Sequence, residues 1–430
     1  MNSCCNLIIQ TRARVFLAQT ILLIVMATLF GGCASEGQVV SGPTEEILQS
    51  RAALGDGGVS PFYRYEKPLL GKPGVLLRHE PLDADQSVPG AGKTLRILYT
   101  STNGIDGSSP IVVSGGLFLP PGEAPEGGWP LLAWSHGTVG IADICAPSWT
   151  GYVRFHQEHL RHWLENGFAV VASDYQGLGT DGIHPYLATR PEAYSNLDAI
   201  RAVRSAGFAL SDKVVVAGQS QGAGGAIATA GYAPAYAPEL NLRAVVATGV
   251  PYFTPEALVA VQALRPRDVP DPMLGYNLLV LTLVESIDPD FDSSDYVSSE
   301  MLATAREVSS VCNRDMRKKI KGLGLTYNQV FARSPSEHFK AAYELMQFPT
   351  LSIPVPLFVG TGTKDRDTPP RMQAQFVRSA CAAGSRISAH VYEGYDHLTT
   401  LNRSLEDSIA FAGAAIVGAG VADNCSNLPY

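Results

Sequence analysis

From Thr94 onward, short apolar runs recur at Leu95–Tyr99, Ile111–Leu119, Leu131–Trp134, Phe168–Ala172 and Val214–Ala217. Val245–Ala247 and Leu357–Val359 continue the series, and Ile387–Tyr392 closes it. Several are unbroken Val/Ala/Leu stretches, the pattern of strands buried on both faces. Helix-like segments lie between the later runs, at Tyr194–Ser205, Ala223–Ala230, Pro370–Ala383 and Leu405–Val417. Such alternation predicts an α/β chain with a mostly parallel sheet. It lapses across residues 251–354, which read as helix and loop. An insertion of that size after a strand predicts a mainly helical cap over the strands' carboxyl ends. The sheet core is thus expected in two parts, 94–250 and 355–430. Residues 33–93, rich in Gly, Pro and charge, read as an irregular N-terminal extension.

The first 32 residues carry a different pattern. Arg12 and Arg14 precede an apolar run from Val15 to Phe30, and Gly31-Gly32-Cys33 follows. A charged stretch, an apolar stretch and small residues predict an export signal. Small residues directly before a cysteine resemble a bacterial lipobox, which would make Cys33 an acylated first residue and membrane anchor. A cell-envelope lipoprotein or a secreted protein is expected. Export changes the reading of the seven cysteines. Four remain after Cys33, namely Cys145, Cys312, Cys381 and Cys425. In an oxidising compartment these suggest two disulfides, with three pairings open. Lys plus Arg total 32 against 40 acidic residues, a net charge of −8. A net acidic chain argues against a nucleic-acid partner.

The chemistry centres on Gly218-Gln219-Ser220-Gln221-Gly222, a G-x-S-x-G sequence. Context gives it weight, because a strand pattern ends at Ala217 and a helix pattern of small residues begins at Ala223. A tight strand-to-helix turn strains its central residue, and bulk at either flanking glycine would collide. Such a turn lifts the Ser220 hydroxyl clear and aims a helix N-terminus at a developing oxyanion. The bland alternative is a Gly-rich turn with an idle serine. No Gly-Lys-Ser/Thr follows, so a phosphate loop is not expected.

A serine needs a positioned imidazole, and the chain order in this architecture is Ser, Asp or Glu, His. His338, His390 and His397 follow Ser220. His338 lies in the cap segment and His390 inside a strand pattern. His397 lies in the loop Gly394-Tyr395-Asp396-His397-Leu398 after the last strand and is the expected base. Asp365, in the turn after the penultimate strand, is the expected acid, with Asp367 its rival. Asp396 adjoins His397, but neighbouring side chains in extended backbone point apart. The two oxyanion N–H groups are assigned to Gln221 and to Thr138, which stands in Ser135-His136-Gly137-Thr138. His136 reads as a turn-holding residue. His156, His159 and His162 recur every three residues and read as a solvated or amphipathic helix face, not a metal site. No metal or cofactor is expected. Leu278–Val284 either lines an acyl-chain tunnel or forms the cap's own core.

Four segments then converge. They are Trp134-Ser135-His136-Gly137-Thr138 with Cys145-Ala146-Pro147-Ser148, the stretch Ser173-Asp174-Tyr175-Gln176-Gly177-Leu178-Gly179 with His184-Pro185-Tyr186, the Gln-Ser-Gln elbow, and the Gly-Thr-Lys-Asp turn with its late His397. Together these resemble the secretory lipase family, from about Thr94 to the end. The resemblance implies an α/β-hydrolase with a helical cap that hydrolyses acyl esters, often triacylglycerols. It implies pairing Cys145 with Cys312 and Cys381 with Cys425, and structural roles for Asp174 and Tyr175. The expectation is therefore an exported serine hydrolase of triacylglycerols, the alternatives being an esterase for short or aromatic acyl groups and a non-catalytic binding protein. A prolyl-oligopeptidase-type peptidase would need a large N-terminal propeller, for which residues 34–93 leave no room.

Overall fold

The strands of the computed structural model are β1 (Leu76–Pro81), β2 (Lys93–Thr102), β3 (Pro110–Leu119), β4 (Trp129–Ser135), β5 (Ala169–Ser173), β6 (Leu210–Gln219), β7 (Asn241–Thr248), β8 (Leu357–Gly362) and β9 (Ile387–Tyr392). They form one sheet in the order β1-β2-β3-β5-β4-β6-β7-β8-β9. The structure describes residues 58–69, 71–254 and 266–430, so the export segment 1–32 and the anchor candidate Cys33 lie outside the described residues. Pairing is antiparallel from β1 to β5 by way of β2 and β3, and parallel from β5 to β9.

The unbroken apolar runs occupy the middle of this sheet because both of its faces are covered. On one face pack α2 (Thr189–Ser205), α3 (Gln221–Tyr236) and α8 (Pro370–Ala382), with Ile200, Ala226 and Phe376 meeting Val216 and Val359. On the other lie α1 (Arg154–Glu165) and α9 (Leu405–Val417), with Trp163 and Phe411 against Val170 and Phe358. Small residues in α3, including Gly222, Gly224 and Gly225, bring that helix close to the sheet.

One expectation needs correction. Within the stretch read as an irregular extension, Leu76–Pro81 forms a strand at the sheet edge, and Phe62 and Tyr63 pack with Leu98. An edge strand has one neighbour and needs no alternating apolar face, and the charged Arg78-His79-Glu80 and Pro81 suit such an edge.

Between β7 and β8 lie α4 (Leu274–Ile287), α5 (Leu302–Ser310), α6 (Asn313–Leu323) and α7 (Ser336–Leu345). These helices share their own core, in which Leu279, Leu283, Val308, Met316, Ile320 and Phe339 are buried. The apolar stretch Leu278–Val284 is mostly part of that core. Two disulfides fasten the periphery. Cys145–Cys312 joins the loop after β4 to the start of α6, and Cys381–Cys425 joins α8 to the C-terminal tail.

Candidate active site

β6 delivers Ser220 into a turn with φ 59° and ψ −124°, a backbone that L-residues other than glycine seldom adopt. The turn persists because its surroundings leave no slack. A Cβ on Gly218 would stand 2.0 Å from the Gly222 carbonyl oxygen, and one on Gly222 would stand 1.9 Å from that of Ser135. The Ser220 N–H donates to the Thr248 carbonyl at 3.0 Å, tying the elbow to the end of β7.

The next residue, Gly249, has φ +64° and lies under the His397 ring, where a Cβ would come within 2.8 Å of Cε1. The Gln219 amide donates to the His397 carbonyl at 3.2 Å. Ser220 and His397, 177 positions apart in the chain, are thus seated against the same two residues, Thr248 and Gly249, at the end of β7. His397 is buried, and its Nδ1 lies 2.8 Å from Asp365 Oδ2. Since a carboxylate accepts, this pairing assigns the proton to Nδ1 and leaves Nε2 as the lone-pair nitrogen.

Asp365 is in turn held from several directions. Its Oδ1 accepts from the backbone N–H groups of Asp367 and Thr368, and its Oδ2 accepts from Thr368 Oγ1 and Gln373 Nε2. Asp367, the rival, stands elsewhere. Its carboxylate pairs with Arg317 of α6 at 2.9 Å and lies 4.0 Å from His397 Nε2. Asp396 caps its own turn, accepting from the Thr399 N–H and hydroxyl. Thr368 and Gln373 escaped the sequence reading, although an acceptor three residues before Thr368 in a turn was legible as a local capping signal.

The oxyanion candidates approach from both sides. Gln221 opens α3, so its N–H has no acceptor inside the helix. Thr138 lies in the loop after β4, whose Gly137 runs so near the elbow that a Cβ there would stand 3.5 Å from Ser220 Cβ. That loop is braced from beneath and above. Tyr175 donates to the His136 carbonyl at 2.9 Å, while Asn313 of α6 donates from Nδ2 to the Thr138 carbonyl and from its backbone to that of Val139. The Cys145–Cys312 bridge sits beside these contacts.

Ser220, Gln221, Thr138, Asp367 and Thr368 line one cavity of about 580 Å³, within the roughly 300–1,000 Å³ usual for small-molecule sites. Tyr186, Tyr252, Phe253, Tyr276 and Tyr343 supply much of its wall, and Val280 is the cap's contribution from the apolar stretch.

The remaining candidates fall outside the cavity. Asp174 accepts from Ser114 Oγ at 2.7 Å and from the Ser148 N–H and hydroxyl, and burial raises its carboxyl to about 6. His136 is sealed, with Nδ1 2.8 Å from the Gly137 carbonyl, and burial lowers it to about 4. His390 stacks on Phe358, and His338 meets Tyr296 and Asp288 within the cap. Of the histidine triplet, His156 and His159 face inward against Trp134, each pushed down to about 3 chiefly by burial, while His162 is half exposed beside Glu165. The helix is amphipathic, with two of its histidines on the buried side.

The chain is similar to several known proteins. Residues 146–261 match the family model described as Secretory lipase. Lipase A of Moesziomyces aphidis is 23% identical over 423 residues, covering 90% of this chain and 86% of that one. Among solved structures, lipase A of Candida antarctica in its closed state superposes with a TM-score of 0.70 at 19% identity, over 86% of this chain and 89% of that one. The rice cell wall degrading esterase LipA of Xanthomonas oryzae gives 0.64 at 19% identity, over 81% and 99%. Both neighbours share the α/β-hydrolase fold with this chain.

Proposed function

We propose, taking the chain as an α/β-hydrolase similar to secretory lipases, that it is an exported serine hydrolase of acyl esters with Ser220, His397 and Asp365 as its triad. Carboxylic ester hydrolysis is the activity that the family match and the lipase relative support. The observation that carries the triad is the hydrogen-bonded His397–Asp365 pair seated beside a strained serine that opens on an apolar cavity.

In this reading His397 Nε2 takes the Ser220 proton as Oγ attacks the ester carbonyl. Asp365 keeps Nδ1 protonated and stabilises the imidazolium that forms. The N–H groups of Gln221 and Thr138 receive the oxyanion of the tetrahedral intermediate. His397 then protonates the leaving alcohol, and a water activated by the same imidazole releases the acid from the acyl-enzyme. No cofactor enters these steps.

The substrate is a triacylglycerol, one acyl chain lying along the apolar wall with the alcohol toward the exposed rim. The aromatic lining favours a second reading, an esterase for short or aromatic acyl groups. Export rests on the leader-like residues 1–32, and attachment to a membrane on acylation of Cys33.

A fluorophosphonate probe is expected to label Ser220 in the folded protein and to miss Ser220→Ala. Absence of label would favour a binding protein on this fold. Comparing p-nitrophenyl palmitate with p-nitrophenyl acetate separates the lipase from the short-chain reading. Mass spectrometry of the mature N-terminus tests whether it begins at an acylated Cys33.

A further inference from the structure

Beneath the elbow lies a carboxyl group that the steps above do not use. Glu192, in the first turn of α2, is buried at 1% exposure. Its Oε1 accepts from Gln221 Nε2 at 2.9 Å. The same Gln221 amide reaches His184 Nε2 at 3.2 Å, and His184 Nδ1 lies 2.9 Å from the Gln176 carbonyl. A carbonyl only accepts, so His184 carries its proton on Nδ1 and offers Nε2 as an acceptor. Both amide hydrogens of Gln221 therefore have acceptors, one from Glu192 and one from His184.

Space around the carboxyl is equally fixed. A Cβ on Gly225, one turn into α3, would stand 2.7 Å from Glu192 Oε2 and 2.7 Å from Ser135 Oγ. Glycine at this position lets the carboxyl lie flat under the helix that begins at Gln221. The other titratable groups facing it are Tyr175 and Tyr186, both held well above the ordinary tyrosine value by burial, and His184. No cation faces Glu192 among the described residues, and burial raises its carboxyl to about 8.

We propose that Glu192 is a positioning residue, a buried carboxyl group that locks the Gln221 side chain beneath the elbow and so keeps the Gln221 backbone N–H directed at the oxyanion. This rests on the reading of Ser220 as nucleophile and Gln221 as oxyanion donor. The acid form suits the task for an electrostatic reason. The intermediate places a full negative charge within one residue of Gln221, and an ionised Glu192 below it would oppose that charge through a low-dielectric interior. Deprotonation of Glu192 is accordingly expected to lower kcat on the alkaline side, near pH 8.

The test uses the full mature chain and p-nitrophenyl esters, after fluorophosphonate labelling has established that Ser220 is reactive. Glu192→Gln keeps the shape and the acceptor and removes the ionisation. It is expected to hold kcat at pH 7 within about threefold and to abolish the alkaline decline. Glu192→Leu removes the acceptor and is expected to lower kcat at least tenfold with KM changed less than twofold. Thermal unfolding of each variant checks that it is folded. A Glu192→Gln profile that still falls near pH 8, or a folded Glu192→Leu enzyme with parental kcat, overturns the proposal. Failure of Ser220 to label would instead overturn the reading beneath it.

Discussion

Asp365 and Glu192 are both nearly sealed from water, one on the β8 side of the elbow and one on its β4 side, yet their surroundings supply hydrogen-bond donors in very different number. Asp365 gathers two backbone N–H groups, a hydroxyl, an amide and the His397 ring. Glu192 accepts a single hydrogen bond among the described residues, from Gln221, and is pushed up to about 8 by burial. Burial with so few donors favours a neutral carboxyl at Glu192. The contrast suits the chemistry proposed for the two sides. In the proposed steps an imidazolium would form beside Asp365 and an oxyanion above Glu192. On that reading each buried acid would complement the charge that develops next to it.

The comparison can be broken most directly at Asp365. Asp365→Asn is expected to lower kcat by about 10⁴-fold, because the amide can no longer hold the required tautomer. Asp367→Asn, on a carboxylate already paired with Arg317, is expected to cost less than tenfold. Equal losses in the two variants would sink the assignment of Asp365.

The two disulfides sharpen it next. Replacing Cys145 and Cys312 by serine is expected to destabilise the fold by about 2–4 kcal/mol and to lower kcat roughly tenfold, because Asn313 would no longer be pinned against the Thr138 loop. Replacing Cys381 and Cys425 is expected to lower the melting temperature with kcat unchanged, since that bridge closes on the tail. Parallel measurement of Tm and kcat distinguishes the bridges.

Glu192 makes a stability prediction whose sign follows from linkage. Its folded-state value of about 8 lies above the ordinary 4.5. Between those limits the unfolded chain releases a proton that the folded chain retains, so this group lowers stability as pH rises and its full cost is present above about pH 8. Glu192→Gln is therefore expected to stabilise the protein by on the order of 4 kcal/mol at pH 8, with the gain vanishing near pH 4. Urea denaturation at the two pH values measures it, and a gain that is the same at both would contradict the assignment.

The smallest effect belongs to Arg317. Its side chain is 42% exposed, so Arg317→Ala is expected to change stability by about 0–1 kcal/mol. Removing this cation leaves the Asp367 carboxylate uncompensated, 4.0 Å from His397 Nε2, and favours the imidazolium. The acidic limb of the kcat/KM profile is expected to move to higher pH by a few tenths. A shift to lower pH would refute that placement of charge.

Much of this molecule was readable before any coordinates. The Val-rich runs marked the buried strands, because a strand covered on both faces has no polar side to show. Gly218 and Gly222 announced a turn in which a Cβ has no room, and the late His397 followed from chain order. What stayed hidden were contacts between distant segments. β1 carries charges and a proline that an edge tolerates, so its pattern was not that of a strand. Gly249, Gln219, Thr368 and Gln373 each look ordinary in sequence and matter through what they touch.

Local pattern along the chain determined which residues could be strand, elbow and candidate triad, because backbone preference and apolar periodicity act over a few residues. Only the tertiary structure decided which carboxylate meets His397, which cysteines pair, and that Glu192 lies buried beneath the elbow. Those outcomes depend on burial and on facing partners far apart in the chain, which a sequence does not state.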